Sequence, residues 1–283
     1  MLDAVHAEAL KMRSHRGTWA MVWIYPILVF AVLIGVIIYR AVAGAGEDAP
    51  VSSVADWIRD TTIFWHAPGS APGRILVGAF TALVFASEYN WNTWKLIVPV
   101  RHRWHLIVAK WLVIIGFVFT ALFLTNIIVL IGELISSLQG SPIPDGVTFS
   151  ATVKEHARAA AYALIPTIYA MSFATLVAIL TRSVLATVVV SIGLVIIEGL
   201  LGLLGLFFYQ RAPGFTQFII EATPPFHIQN LTDWAFFRTS AEIILSPDFT
   251  LGADWGTSLA TVAAWSIAAG AIAMAAFLRQ DMN

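Results

Sequence analysis

Residues 86–112 read ASEYNWNTWKLIVPVRHRWHLIVAKWL. Glu88, Lys95, Arg101, Arg103 and Lys110 stand among Trp91, Trp94, Trp104 and Trp111. No other long segment between two apolar runs is both basic and rich in tryptophan. Tryptophan collects at the level of lipid headgroups, and lysine and arginine collect on the cytoplasmic side of membranes. The stretch therefore has the composition of an inner loop, and it sets the side from which each flanking run enters the bilayer.

The rest of the 283 residues agrees with that placement. The chain is 59% hydrophobic and 12% charged, with a mean hydropathy of +0.81, whereas soluble domains carry roughly 25% charge. The expected fold is an all-α polytopic membrane protein, one transmembrane domain over residues 1–283. There are no cysteines, which excludes disulfides, thiolate metal sites and cysteine nucleophiles.

Residues 1–17 read as a short interfacial helix rather than a signal peptide, because no cleavage site follows an apolar core. Leu2, Val5, Ala9 and Met12 recur at helical spacing, with Asp3, Glu8, Lys11 and Arg13 mostly off that face. Six spans follow, at about 19–39, 74–88, 111–132, 159–180, 184–208 and 258–278. Pro26 and Pro166 lie inside the first and fourth and are expected to kink them. The second has only 12 apolar residues, Ile75–Ala86, and must borrow Arg74, which is expected to snorkel to the interface. Residues 40–73 form an acidic loop in which Val54, Trp57, Ile58 and Trp65 suit a second surface-lying segment. The loop of residues 209–255 is the longest and is broken at Pro224–Pro225. The last span is rich in Ala and Gly, which let helix backbones approach closely.

Six spans put both termini on one side. With that side cytoplasmic, the inner segments hold Lys11, Arg13, Arg16, Lys95, Arg101, Arg103, Lys110, Arg182 and Arg279. The outer ones hold Arg40, Arg59, Arg74, Lys154, Arg158, Arg211 and Arg238 in about twice the length. The inner side is the more densely basic.

Several chemistries are absent. There is no phosphate-binding G-x-x-x-x-G-K-[ST] loop, no zinc-protease helix and no nucleophile elbow. His102 and His105 are three apart but sit among arginines, so no metal is expected there. Neither an enzyme active site nor a nucleic-acid interface is expected. Glu198 is the one ionisable residue well inside a span, and a carboxylate there must face protein or water. Ser191, Glu198, Gly202, Gly205 and Tyr209 share a helix face, and Tyr162, Pro166 and Tyr169 share one on the fourth span. Glu198, Tyr162, Tyr169, Ser191 and Tyr209 are the candidates for lining a pathway. Glu198 reads either as a pathway or proton-accepting group or as a hydrogen-bonded packing residue.

The order Glu88, Asn92-Thr93-Trp94-Lys95, Pro99, Arg103 and Lys110 resembles the signature of ABC-2 type transporter permeases. The amphipathic N-terminus, six spans and the closing Arg279-x-Asp281 fit as well. Asn92 stands where Gly is common. Arg101 and Arg103 compete for the family's arginine, and the spacing to Lys110 favours Arg103. The resemblance implies the membrane subunit of a bacterial ABC exporter in the plasma (inner) membrane, multi-pass, with both termini cytoplasmic. It implies a cytoplasmic coupling helix between the second and third spans. It also implies two copies of a separate ATP-binding-cassette ATPase carrying ATP and Mg, and a second permease chain, as homodimer or heterodimer, within membrane lipid. Glu88, Asn92, Thr93, Trp94, Lys95, Pro99, Arg101, Arg103 and Lys110 would then form the coupling joint, with its tryptophans at headgroup level. The alternative is a secondary or proton-coupled transporter that uses Glu198.

Overall fold

Lipid offers no partner to backbone N–H and C=O groups, so long apolar runs must close their hydrogen bonds within helices. A computed structural model of the chain follows this rule, and it describes residues 1–43, 53–91, 93–98, 102–140, 142–246 and 249–280. Helix α1 (Leu2–Ser14) ends at His15, whose extended backbone breaks the chain and whose Nδ1 accepts from Gly17 N–H at 3.0 Å. Helix α2 (Arg16–Val22) and helix α3 (Ile24–Ala43) follow. Where one span kinked inside at Pro26 was expected, the helix divides at Trp23. Pro26 cannot donate to the carbonyl of Val22, and the break falls just ahead of it.

Ser53 caps α4 (Val54–Thr61) through the Asp56 amide, and a 3-10 turn (Ile63–Gly69) bends by 68° into α5 (Ala71–Asn90). Trp57, Ile58 and Trp65 are buried against the bundle rather than spread on a surface. The second span was expected at 74–88, and α5 is longer at both ends. Its Cα at Gly73 passes so near the 3-10 turn that a Cβ there would stand 1.7 Å from the Ala67 carbonyl oxygen. From Val77 to Glu88 every residue of α5 is buried. A helix wrapped in protein needs no lipid-matched apolar length, which explains why hydropathy alone underrated it.

The one-turn helix α6 (Trp94–Ile97) leads to α7 (Arg103–Leu138) and α8 (Phe149–Thr181). At 1.5 Å per residue these run roughly 54 and 50 Å, well beyond a hydrocarbon core of ~30 Å. Helix α9 (Val184–Phe208) matches its expected span. The described residues of 209–255 are folded rather than a loop. They form α10 (Pro213–Ala222), α11 (Pro224–Phe236) and an antiparallel hairpin of β1 (Glu242–Ser246) with β2 (Phe249–Gly252), a small departure from an all-α fold. Helix α12 (Trp255–Arg279) closes the chain.

Helix α8 is the hub, packed by α5, α9, α11 and α12, while α3 leans on α7 with most of its apolar surface open. The main core gathers Phe80, Phe85, Trp94, Ile114, Met171 and Phe277. Gly78 on α5 lets α9 approach, since a Cβ there would stand 2.9 Å from Ser191 Cβ. Among the described residues, five helices (α3, α7, α8, α9 and α12) are long and apolar enough to cross a bilayer, and the bent pair of 3-10 turn and α5 makes up to six. The chain is a helical polytopic membrane protein.

Candidate functional site

The motif residues of the 86–112 stretch meet at one end of the bundle. Glu88 sits in the last turn of α5 and Thr93 in the turn that follows. The Thr93 amide donates to the Glu88 carbonyl at 3.0 Å, and its hydroxyl donates to Glu88 Oε2. Lys110, two turns into α7, donates to Glu88 Oε1 at 2.6 Å, Glu8 Oε2 at 2.8 Å and the Val84 carbonyl at 3.2 Å. Lys11 of α1 also pairs with Glu88 Oε1. Two carboxylates and two ammoniums thus balance in a site where Glu88 and Lys110 are both 0% exposed. Phe85 and Trp94 lie 5.9 and 5.2 Å from the Lys110 ammonium, which adds cation–π attraction.

Arg103 works beside this cluster. Its Nη1 donates to the carbonyls of Phe277, Leu278 and Gln280 at 2.9, 2.8 and 2.9 Å, capping α12 where helix carbonyls lack partners. Gln280 in turn accepts from Tyr89 OH and donates to the Ile179 carbonyl, each at 2.7 Å. One end of α5, α7, α8 and α12 is therefore tied by side chains from the stretch together with Gln280.

The expected headgroup anchors divide. Trp91 and Trp104 are 59% and 49% exposed, and Lys95 is exposed too. Trp94 instead packs 4.6 Å from Phe277, and Trp111 Nε1 donates to Thr175 Oγ1 at 3.0 Å. These two face protein because the helices they sit on are covered there. Asn92, Pro99, Arg101 and Asp281 lie outside the described residues.

A second polar site lies inside the bundle. Tyr169 OH on α8 donates to Glu198 Oε1 on α9 at 2.5 Å. Arg74 Nη2 on α5 stands 3.1 Å from Glu198 Oε2, an ion pair without a hydrogen bond. Arg74 also donates to the Gly69 carbonyl at 3.1 Å. It turns inward rather than snorkelling, because the buried carboxylate gains a countercharge and the guanidinium gains an acceptor. The other pathway candidates lie apart. Ser191 donates to the Thr187 carbonyl at 2.8 Å, Tyr162 sits beside Arg158, and Tyr209 stacks on Phe249 with ring centroids 5.5 Å apart.

Sequence reasoning missed Glu8 and Lys11 as cluster members. The apolar periodicity placed them off the buried face, yet Leu2 is 85% exposed and Glu8 is buried. Charge balance was the usable signal, since Glu8 and Glu88 are two of the few acids on the basic side. A third network, in the region read as loop, was also missed. His227 donates from Nε2 to the Glu221 carbonyl at 2.7 Å and accepts at Nδ1 from Ser258 OH at 3.0 Å. Asn230 Nδ2 donates to Ser258 Oγ at 2.7 Å and to the Ala253 carbonyl at 2.9 Å. It joins α10, α11, the residue that follows the hairpin and α12, and has the closed hydrogen bonding of a packing element. No protein-family model and no curated protein matches the chain, so the residues themselves carry the functional argument.

Proposed function

We propose that the chain is the membrane-spanning permease subunit of an ATP-driven exporter of the ABC-2 type, with six spans and both termini cytoplasmic in a bacterial inner membrane. The observation that carries this reading is the buried Glu88–Lys110 pair with Thr93, Lys11 and Glu8. It welds the inter-span turn, the N-terminal helix and α7 into one stiff unit, which is what a joint under load requires. The N-terminal helix and the last turn of α12 also gather at this same end, as an even number of spans demands.

The buried members act by positioning, and the exposed Trp91, Lys95 and Trp104 beside them meet the partner. That partner is a separate ATPase in two copies, which carries ATP and Mg. A second permease chain, identical or a sister, completes the pathway within the lipid. ATP drives the cycle through its different affinity for the two states of the assembly.

Co-expression of the chain with a separately encoded ABC ATPase tests this. The expected result is a stable complex in which Lys95→Glu with Trp104→Ala abolishes ATP-dependent transport while the chain still folds. Failure of any ATPase to co-purify, with transport intact in that variant, refutes the proposal. One observation favours a second reading as a proton-coupled or secondary transporter: a buried carboxylate, Glu198, held by Arg74 and Tyr169 across three helices. Loss of transport in Glu198→Gln without any dependence on ATP would select it.

A further inference from the structure

At the end of the bundle opposite Glu88, a cavity of 530 Å³ opens where α4, the first turns of α8 and the end of α11 meet. Arg59, Lys154, Arg158 and Arg238 line it, and Glu155 is the one acidic residue in its walls among the described residues. Glu155 is already shared. Arg158 pairs with it, and Arg238 Nη2 donates to its Oε2 at 2.7 Å. Arg158 also donates to the carbonyls of Trp234 and Ala235. Asp56 holds Arg59 at 2.6 Å and Asp60 stands 3.7 Å from its Nε. That Nε is buried and has no hydrogen-bond partner among the described residues.

Four cations therefore face three acids, and the surplus is Lys154, which is exposed and forms no ion pair among the described residues. Arg238 is 63% exposed and keeps donors to spare. It holds a backbone φ of 63°, a left-handed conformation that costs a non-glycine residue energy and that tends to persist where a site uses it. Phe236 and Phe237 lie under the Arg59 guanidinium at 5.3 and 5.7 Å, so an apolar surface adjoins the charge.

We infer that this cavity binds the phosphate of an anionic phosphate ester. The spare guanidinium face of Arg238 and the Lys154 ammonium supply charge-assisted hydrogen bonds, and the two phenylalanines cover the apolar part of the ligand. The phosphate can belong to a lipid headgroup at the membrane surface or to a soluble ester, and the two sources share this chemistry.

The test uses the full chain in uncharged detergent micelles, with binding followed by tryptophan fluorescence. The probes are dihexanoyl phosphatidylglycerol, inorganic phosphate and dihexanoylglycerol, which lacks the phosphate. Saturable binding of the phosphatidylglycerol but not of inorganic phosphate identifies the lipid source, and binding of inorganic phosphate that competes with it identifies the soluble one. In either case Lys154→Gln and Arg238→Gln should bind about tenfold more weakly, with Lys154→Arg close to the unaltered chain. Lys154 is exposed and has no ion-pair partner among the described residues, so its variants should keep the fold. The inference fails if neither phosphate probe binds, if dihexanoylglycerol binds as well as phosphatidylglycerol, or if Lys154→Gln binds as tightly as the parent chain.

Discussion

Lys110 Nζ lies 2.6 Å from Glu88 Oε1, and no solvent reaches either side chain. A buried ion pair of this kind contributes little compared with an apolar pair of equal volume, but breaking it strands a charge. Lys110→Met leaves Glu8 without its ammonium and Glu88 with Lys11 alone. The expected cost is about 3–5 kcal/mol, read as a lower unfolding temperature of the purified chain in detergent. The double substitution Lys110→Met with Glu88→Leu should cost clearly less than the two single losses added together. Additive losses would show that the two groups do not act as a pair.

Arg74 gives an opposite forecast to that of a snorkelling residue. A side chain that only reaches for headgroups is replaced at little cost. Here Arg74→Met leaves the Glu198 carboxylate buried without its countercharge, with Tyr169 as its one hydrogen-bond donor among the described residues. The expected destabilisation is again about 3–5 kcal/mol. Tyr169→Phe, which removes only a donor to a charged acceptor, should cost about 1.5–3 kcal/mol. Thermal unfolding of both variants decides the matter, and an Arg74→Met variant as stable as the parent would contradict the inward pairing.

Close approach of α5 and α9 at Gly78 can be tested by size. A Cβ at this position would meet Ser191 Cβ and Oγ at 2.9 Å each, closer than packed atoms tolerate. Gly78→Ala should destabilise by about 1–3 kcal/mol as an overpacked core does. Adding Ser191→Gly should recover most of the loss, since the clash is with that side chain. Unfolding temperatures of the three variants measure this. Equal temperatures for Gly78→Ala and the parent would mean the helices part easily there.

Apolar runs announced α9 and α12 because lipid or small-residue packing surrounds them over their whole length. They did not announce the ends of α7 and α8. Backbone hydrogen bonding carries those helices beyond their apolar runs to Leu138 and back to Phe149, where side-chain polarity no longer reports on it. Helix α11 escaped notice because its 13 residues are too few for a span, although Phe226, Ile228 and Leu231 are core residues. At the site, the order Glu88, Thr93, Lys110 was legible within the chain. Their partners Glu8 and Lys11 were not, because the face that α1 buries is chosen by charge on another helix. Local apolar periodicity cannot see that choice. Arg74 was misjudged for a related reason, as its countercharge lies more than a hundred positions away on α9.

The start of α12 offers a test that depends on pH. Asp254 caps this helix: Thr257 OH donates to Oδ2 at 2.6 Å and Thr257 N–H donates to Oδ1 at 2.9 Å. These bonds, the hydroxyl's first, hold the Asp254 carboxyl below the ordinary aspartate value. A carboxylate whose folded pKa is depressed adds stability that is fully present above its unfolded pKa, near 3.9, and that is lost as pH falls through the folded value. Amide exchange at Thr257 should therefore quicken in acid relative to Asp254→Asn, which keeps a capping acceptor without a titrating charge. Asp254→Ala should exchange fast at every pH. If the parent and Asp254→Asn follow one curve down to strongly acidic pH, the carboxylate does not stabilise the cap as an anion.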